Sequence, residues 1–169
     1  MSEQAPTIHT NQERTCAYSL RKATPSDARF LYEVSTKAMK PVVDALNPNK
    51  VVDEERDFAE YTAKFDPSKI DIIQVDGKDV GRLRVARTPE SIYIGGIQIL
   101  PEYQGRGIGT ALFTNLIRES IDSRIPIMLE VHDVNVDALT FYKNLGFQQD
   151  GREANKTIMR YSPVPYSRV

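Results

Sequence analysis

The chain is poor in the residues that build metal centres and covalent frameworks. Its 169 residues include one cysteine, Cys16, and two histidines, His9 and His132. One cysteine cannot close a disulfide within the chain, and no Cys/His spacing suits zinc, so no metal is expected. Tryptophan is absent. No apolar run approaches the roughly 18 residues needed to span a bilayer, and a membrane partner is not expected. Residues 1–15 (MSEQAPTIHTNQERT) lack the apolar core of a secretory signal. A soluble, reducing, cytoplasmic setting is therefore the expectation. Neither sign of charge dominates: 22 Lys and Arg face 23 Asp and Glu, a formal charge of -1. That balance gives no support for a nucleic-acid partner held through phosphate contacts.

What is present fits one folded domain. Hydrophobic residues make up 40% of the chain, and its length matches a single domain with its own core. Residues 1–15 read as a polar tail, 16–162 as the domain and 163–169 as a C-terminal extension. Ala17 to Lys22 reads as a strand. Thr24-Pro25-Ser26-Asp27 then opens a helix, with Thr24 as N-cap, Pro25 at N1 and Asp27 at N3. Leu31, Val34 and Ala38 form its apolar side, and Pro41 is expected to end it. A second helix is expected over 51–65, with Val51, Phe58, Thr62 and Phe65 inward.

Asp76-Gly77 is a hairpin signal between the strands Ile70 to Val75 and Lys78 to Arg87. In the latter the apolar parity changes between Val80 and Leu83, and Gly81 marks a bulge. Ile92 to Leu100 follows as a strand interrupted by Gly95-Gly96. The helix 108–122 carries a wide apolar side that includes Ile121. The apolar run Ile127 to Val131 is typical of a buried parallel strand. A last helix spans 135–145 with Gly146 at C′, before a hairpin of Phe147 to Gly151 and Lys156 to Tyr161. The order β-α-α-β-β-β-α-β-α-β-β is an α/β (α+β) arrangement, neither a Rossmann unit nor a barrel.

The strongest local signal is Gln104-Gly105-Arg106-Gly107-Ile108-Gly109-Thr110, between a strand and a buried helix. Three alternating glycines let the backbone turn tightly and present successive N–H groups at a helix N-terminus, an anion site suited to a pyrophosphate. Arg106 adds a cation at the rim. The dinucleotide fingerprint needs glycine where Thr110 stands, and the P-loop needs a Lys followed by Ser or Thr, which is missing.

In these residues the chain resembles the GNAT superfamily of acyl-CoA N-acyltransferases. The family signature Gln/Arg-x-x-Gly-x-Gly/Ala stands here as Gln104, Gly107 and Gly109. A second signature, Asn135-x-x-Ala138-x-x-Phe141-Tyr142-x-x-Leu145-Gly146-Phe147, follows about twenty-five residues later. The resemblance implies a GNAT fold: a central mixed, mostly antiparallel sheet with a splayed parallel strand pair (92–100 and 127–131) and flanking helices. It implies acetyl-CoA as co-substrate. The pantetheine would pair with the backbone of Ile97, Gln98 and Ile99, the pyrophosphate would rest on the amides from Gly105 to Thr110, and Asn135 would lie near the pantetheine.

Such a reaction needs a base for the incoming ammonium, a donor for the leaving thiolate and a donor for the carbonyl oxygen. Tyr142 matches the family's tyrosine acid, although it also lies on the apolar stripe of its helix. Glu130 interrupts an apolar strand, where a carboxylate is costly unless used or paired. It stands five residues before Asn135, as in the Leu-Glu-Val segment of protein N-terminal acetyltransferases, where the glutamate accepts a proton. A solvent-facing residue or an ion pair is the alternative, and His132 is a second candidate base. Tyr93 and Gln98 occupy strand positions where some relatives carry a carboxylate. Cys16 lies far in sequence from both signatures and reads as an ordinary thiol, which favours direct attack in a ternary complex. The acceptor is expected to be a primary amine of a small molecule or amino acid. The alternatives are a peptide N-terminus or lysine, and a non-catalytic CoA-binding module. Many relatives self-associate, which leaves room for a homodimer.

Overall fold

A computed structural model describes residues 16–163; the tail 1–15 and the extension from 164 lie outside the described residues. Seven strands form one sheet in the order β1-β2-β3-β4-β5-β7-β6. They are β1 (Ser19–Lys22), β2 (Asp71–Val75), β3 (Lys78–Arg87), β4 (Ile92–Ile99), β5 (Ile127–His132), β6 (Gln148–Glu153) and β7 (Lys156–Tyr161). Every neighbouring pair is antiparallel except β4 and β5. The helices are α1 (Ala28–Leu46), α2 (Glu54–Ala63), α3 (Ile108–Ser123) and α4 (Val136–Asn144). The mixed, mostly antiparallel sheet with one parallel pair is the architecture the resemblance implied.

Successive residues of a strand face opposite sides, and this divides the core. Ile72 packs with Leu31 of α1 and Ile70, whereas its neighbour Ile73 packs with Leu112 and Phe113 of α3. The larger cluster holds Ile127, Leu129 and Val131, the alternate residues of β5, together with Tyr142 and Phe147. Gly81 pairs with Ile73 and Asp79 with Gln74, leaving Val80 as the extra residue of the expected bulge. Gly146 follows α4 at φ +98°, the left-handed conformation that closes a helix.

Three expectations need correction. Pro41 does not end the first helix, which runs through it to Leu46. Val42 continues the stripe of Leu31 and Val34 and is buried, so packing on the sheet outweighs the lost N–H at position 41. The second helix begins at Glu54, because the Asp53 carboxylate accepts from the Arg56 N–H at 3.1 Å and caps it there. Val51 and Thr62 are accordingly exposed, and Tyr61 packs inward in their place. Ile121 is 49% exposed, since the buried face of α3 ends at Ser120. The Ser120 hydroxyl donates to the Ile125 carbonyl at 2.5 Å, tying the helix to β5.

Candidate active site

β4 and β5 pair for only three positions, Ile92 with Ile127, Tyr93 with Met128 and Ile94 with Leu129. The cause lies in β4. Arg84 of β3 pairs with Gly96 and Val85 with Ile94, so Gly95 is an unmatched extra residue. A bulge bends its strand and increases the local twist. Beyond it, the rest of β4 follows β3 while Glu130, Val131 and His132 follow β7. The gap leaves the β5-facing edge of Gly95 to Ile99 without a strand partner.

A cavity of about 190 Å³ opens at this divergence, lined by Gln98, Glu130, His132, Asn135, Tyr142 and Lys156 among others. The structure thus brings together sequence-predicted residues from β4, β5 and α4. Glu130 reaches the cavity wall and faces the Lys156 ammonium at 3.5 Å, so the carboxylate is both cleft-lining and paired. Beside it, Tyr93 has a phenol pushed above its ordinary value by burial and by the Glu130 charge. Tyr142 is buried and packs edge-on against Phe113, with ring centroids 5.3 Å apart. Desolvation pushes its phenol up to about 12, which keeps it protonated and able to donate. Asn135 accepts from the Ala138 N–H at 3.3 Å and caps α4. The Gln98 Oε1 and His132 Nδ1 atoms are buried with no hydrogen-bond partner among the described residues. Orphaned polar atoms in a cleft wall are what a polar ligand would satisfy.

The glycine loop stands at the far end of β4. Gln104 does not point into it: its side-chain amide donates to the Ile99 carbonyl at 2.8 Å and braces the loop against the strand. Gly105 and Gly107 have φ of +71° and +82°, conformations that other residues adopt at a cost. Gly107 caps α3, and the first intrahelical bond is donated by Ala111 to the Gly107 carbonyl. The N–H groups of Ile108, Gly109 and Thr110 therefore have no helical acceptor. Ile108 contributes only backbone, because its side chain is in the core. The Arg106 guanidinium lies 4.9 Å from the Tyr103 ring centre, a cation–π contact at the rim. Cys16, distant in sequence, comes to the loop: a Cβ on Gly107 would stand 3.9 Å from its own.

Lys156 escaped the sequence reading. Its contact with Glu130 depends on the β5–β7 register, which pairs His132 with Lys156, and nothing local in the sequence signals it.

Comparison with known proteins agrees with this architecture. Residues 39–147 match the family model described as acetyltransferase (GNAT) family. The chain belongs to that family. The family is one of acetyltransferases. Over 74 residues it is 40% identical to the N-alpha-acetyltransferase RimI of Mycobacterium tuberculosis, a match spanning 42% of this chain and 44% of that protein. PaiA N-acetyltransferase from Thermoplasma acidophilum, solved in complex with coenzyme A, has the same fold: TM-score 0.67 and 18% identity, over 86% of this chain and 99% of that one. The ribosomal-protein-S18-alanine N-acetyltransferase of Escherichia coli aligns with TM-score 0.58 and 20% identity, over 90% of this chain and 99% of that one.

Proposed function

We propose that this protein transfers the acetyl group of acetyl-CoA to a primary amine of a small molecule or amino acid, by direct attack in a ternary complex. The observation that carries this reading is the divergence of β4 and β5 at Gly95, with Glu130 and Tyr142 both on the cavity it opens. Acetyl-CoA supplies an acyl group on a thioester. The unpaired amides of Ile108, Gly109 and Thr110, with the turn of Gly105 and Gly107, hold its pyrophosphate, and Arg106 adds charge at the rim. The free edge of Ile97, Gln98 and Ile99 takes the pantetheine as a substitute strand, while Asn135 lies alongside.

An alkylammonium has a pKa of about 10 and must lose a proton before attack. Glu130 accepts that proton, and Lys156 holds the carboxylate in place. A backbone N–H on the β5-facing edge of β4 beyond Ile94, where the pairing with β5 has ended, donates to the carbonyl oxygen as it gains charge. Tyr142 serves the leaving sulfur. Burial holds its phenol above the ordinary value and protonated, so it stands as the donor to the sulfur. The ammonium loses two protons on becoming an amide: Glu130 accepts the first before attack, and as the carbon–sulfur bond breaks Tyr142 protonates the leaving thiolate and is reprotonated by the second, shed from the nitrogen of the tetrahedral intermediate.

A second reading, acetylation of a protein or peptide N-terminus, is favoured by the likeness to RimI. Acetyl-CoA-dependent thiol release, measured over amines, amino acids and short peptides against a no-acceptor blank, separates the two. The Tyr142→Phe variant should lower kcat on the true acceptor by on the order of a hundredfold with acetyl-CoA affinity retained. Equal turnover by the variant would remove Tyr142 from the chemistry. Coenzyme A binding without turnover on any acceptor would favour a CoA-binding module instead.

A further inference from the structure

A second cavity, of about 270 Å³, lies between β3 and the end of α2 with the segment that follows it, one strand away from the cleft. Its wall is basic. Lys64, Lys69, Arg82 and Arg84 line it together with Tyr61, against a single carboxylate, Asp66. That carboxylate accepts from the Ser68 hydroxyl at 2.6 Å and pairs with Lys69 of the same wall at 3.4 Å, which leaves Lys64, Arg82 and Arg84 as the wall's unmatched cations among the described residues. Arg82 is largely buried, and its one side-chain bond runs to a neutral group, the Ser35 hydroxyl at 2.8 Å. Its Nε and the Tyr61 hydroxyl are both buried without a hydrogen-bond partner among the described residues. No carboxylate among those residues stands within ion-pair distance of Arg82, Arg84 or Lys64. A guanidinium withdrawn from water with no anion beside it is costly, and its planar fork matches carboxylate and phosphate oxygens.

The register places this basic wall against the acetyl-transfer cleft. Arg82 pairs across β3–β4 with Gln98, and Arg84 with Gly96. The Arg84 Cδ lies 3.2 Å from where a Gly95 Cβ would stand, so Arg84 packs on the bulge that opens the cleft. Arg82 and Arg84 on β3 and Glu130 on β5 stand two strand spacings apart, at least about 10 Å, which sets the least separation between the amine and the anion of one acceptor.

We propose that this pocket binds an anionic group of the acceptor, which is therefore a primary amine that also carries a carboxylate or phosphate. The anion sits on Arg82, Arg84 and the Tyr61 hydroxyl while the amine reaches Glu130. The inference rests on the acetyl-transfer reading of the cleft and narrows its acceptor.

The test compares matched acceptors on the full chain: amines bearing a carboxylate, their carboxamide counterparts and phosphate-bearing analogues, with kcat/KM measured for each. The wild-type protein should prefer one anionic series over the carboxamides. Arg82→Gln should shrink that preference by about tenfold to a hundredfold, chiefly through KM, and Tyr61→Phe by a smaller factor. Arg82→Lys should restore part of it. The series preferred, carboxylate or phosphate, identifies the anion. Calorimetric titration with glutarate and with inorganic phosphate, on wild type and Arg82→Gln in the presence of coenzyme A, reads the pocket without turnover. Carboxamides used as well as the anions, with neither anion bound, would overturn the proposal and leave acetyl transfer standing. Anion binding that depends on Arg82, in a protein that acetylates nothing, would leave the pocket standing and remove the acetyl-transfer reading.

Discussion

The roles proposed for Glu130 and Tyr142 place opposite electrostatic demands on two groups that line one cavity. In the proposed reaction the carboxylate accepts a proton, and Lys156 faces it at 3.5 Å. The phenol must stay neutral to donate, and burial secures it. Glu130→Gln should lower kcat/KM by roughly ten- to a hundredfold near neutral pH, and the deficit should narrow as pH approaches the acceptor's own pKa of about 10. A pH–rate profile of the variant checks this; a constant deficit would assign Glu130 to positioning. A different titration governs stability. Arg21 donates to both Asp27 oxygens at 2.9 Å, which holds that carboxyl down to about 2 from 3.8. A depressed carboxyl stabilises the fold above its unfolded pKa, so its contribution, about 2 kcal/mol at most, is complete above pH 4 and fades as pH falls towards 2. Urea midpoints across that window should slope less steeply for Asp27→Asn than for the wild type.

The elements differ in how far the sequence announces them. β5 was legible because a nearly continuous apolar run, broken by Glu130, marks a strand whose alternate residues Ile127, Leu129 and Val131 are in the core, and the loop from Gln104 to Thr110 was legible because its glycines have local conformational work to do. α1 was misread at Pro41, where the local rule lost to burial of Val42 one turn beyond Ala38. The wall of Arg82 and Arg84 was illegible for a different reason: alternating arginines on a strand look solvated until the register sets α1 and α2 above them. The proline still carries its penalty. Pro41→Ala should stabilise the fold by about 1–3 kcal/mol, because it restores a helical N–H and removes a ring clash. Chemical denaturation reads the shift. An unchanged midpoint would mean that the helix is already relaxed around the ring.

Across the whole molecule, the two core clusters on opposite faces make the sheet the common support of cofactor loop, cleft and basic pocket. Ligand binding should register globally. Coenzyme A at about a hundred times its dissociation constant should add roughly 2.7 kcal/mol of stability, about 5–10 °C in Tm for a chain of this length. Gly107→Ala, strained at φ +82°, should lower both the Tm of the free protein and the increment that coenzyme A adds. Differential scanning calorimetry with and without ligand separates the two effects.

The three-position contact between β4 and β5 also makes the sheet a pair of panels joined along a short seam. Amide protons of Gly95 to Ile99 that point across the opening have no sheet acceptor, so they should exchange with deuterium well before their neighbours in β3. A bound pantetheine would then act as a stitch, and the amides it slows would map its path residue by residue.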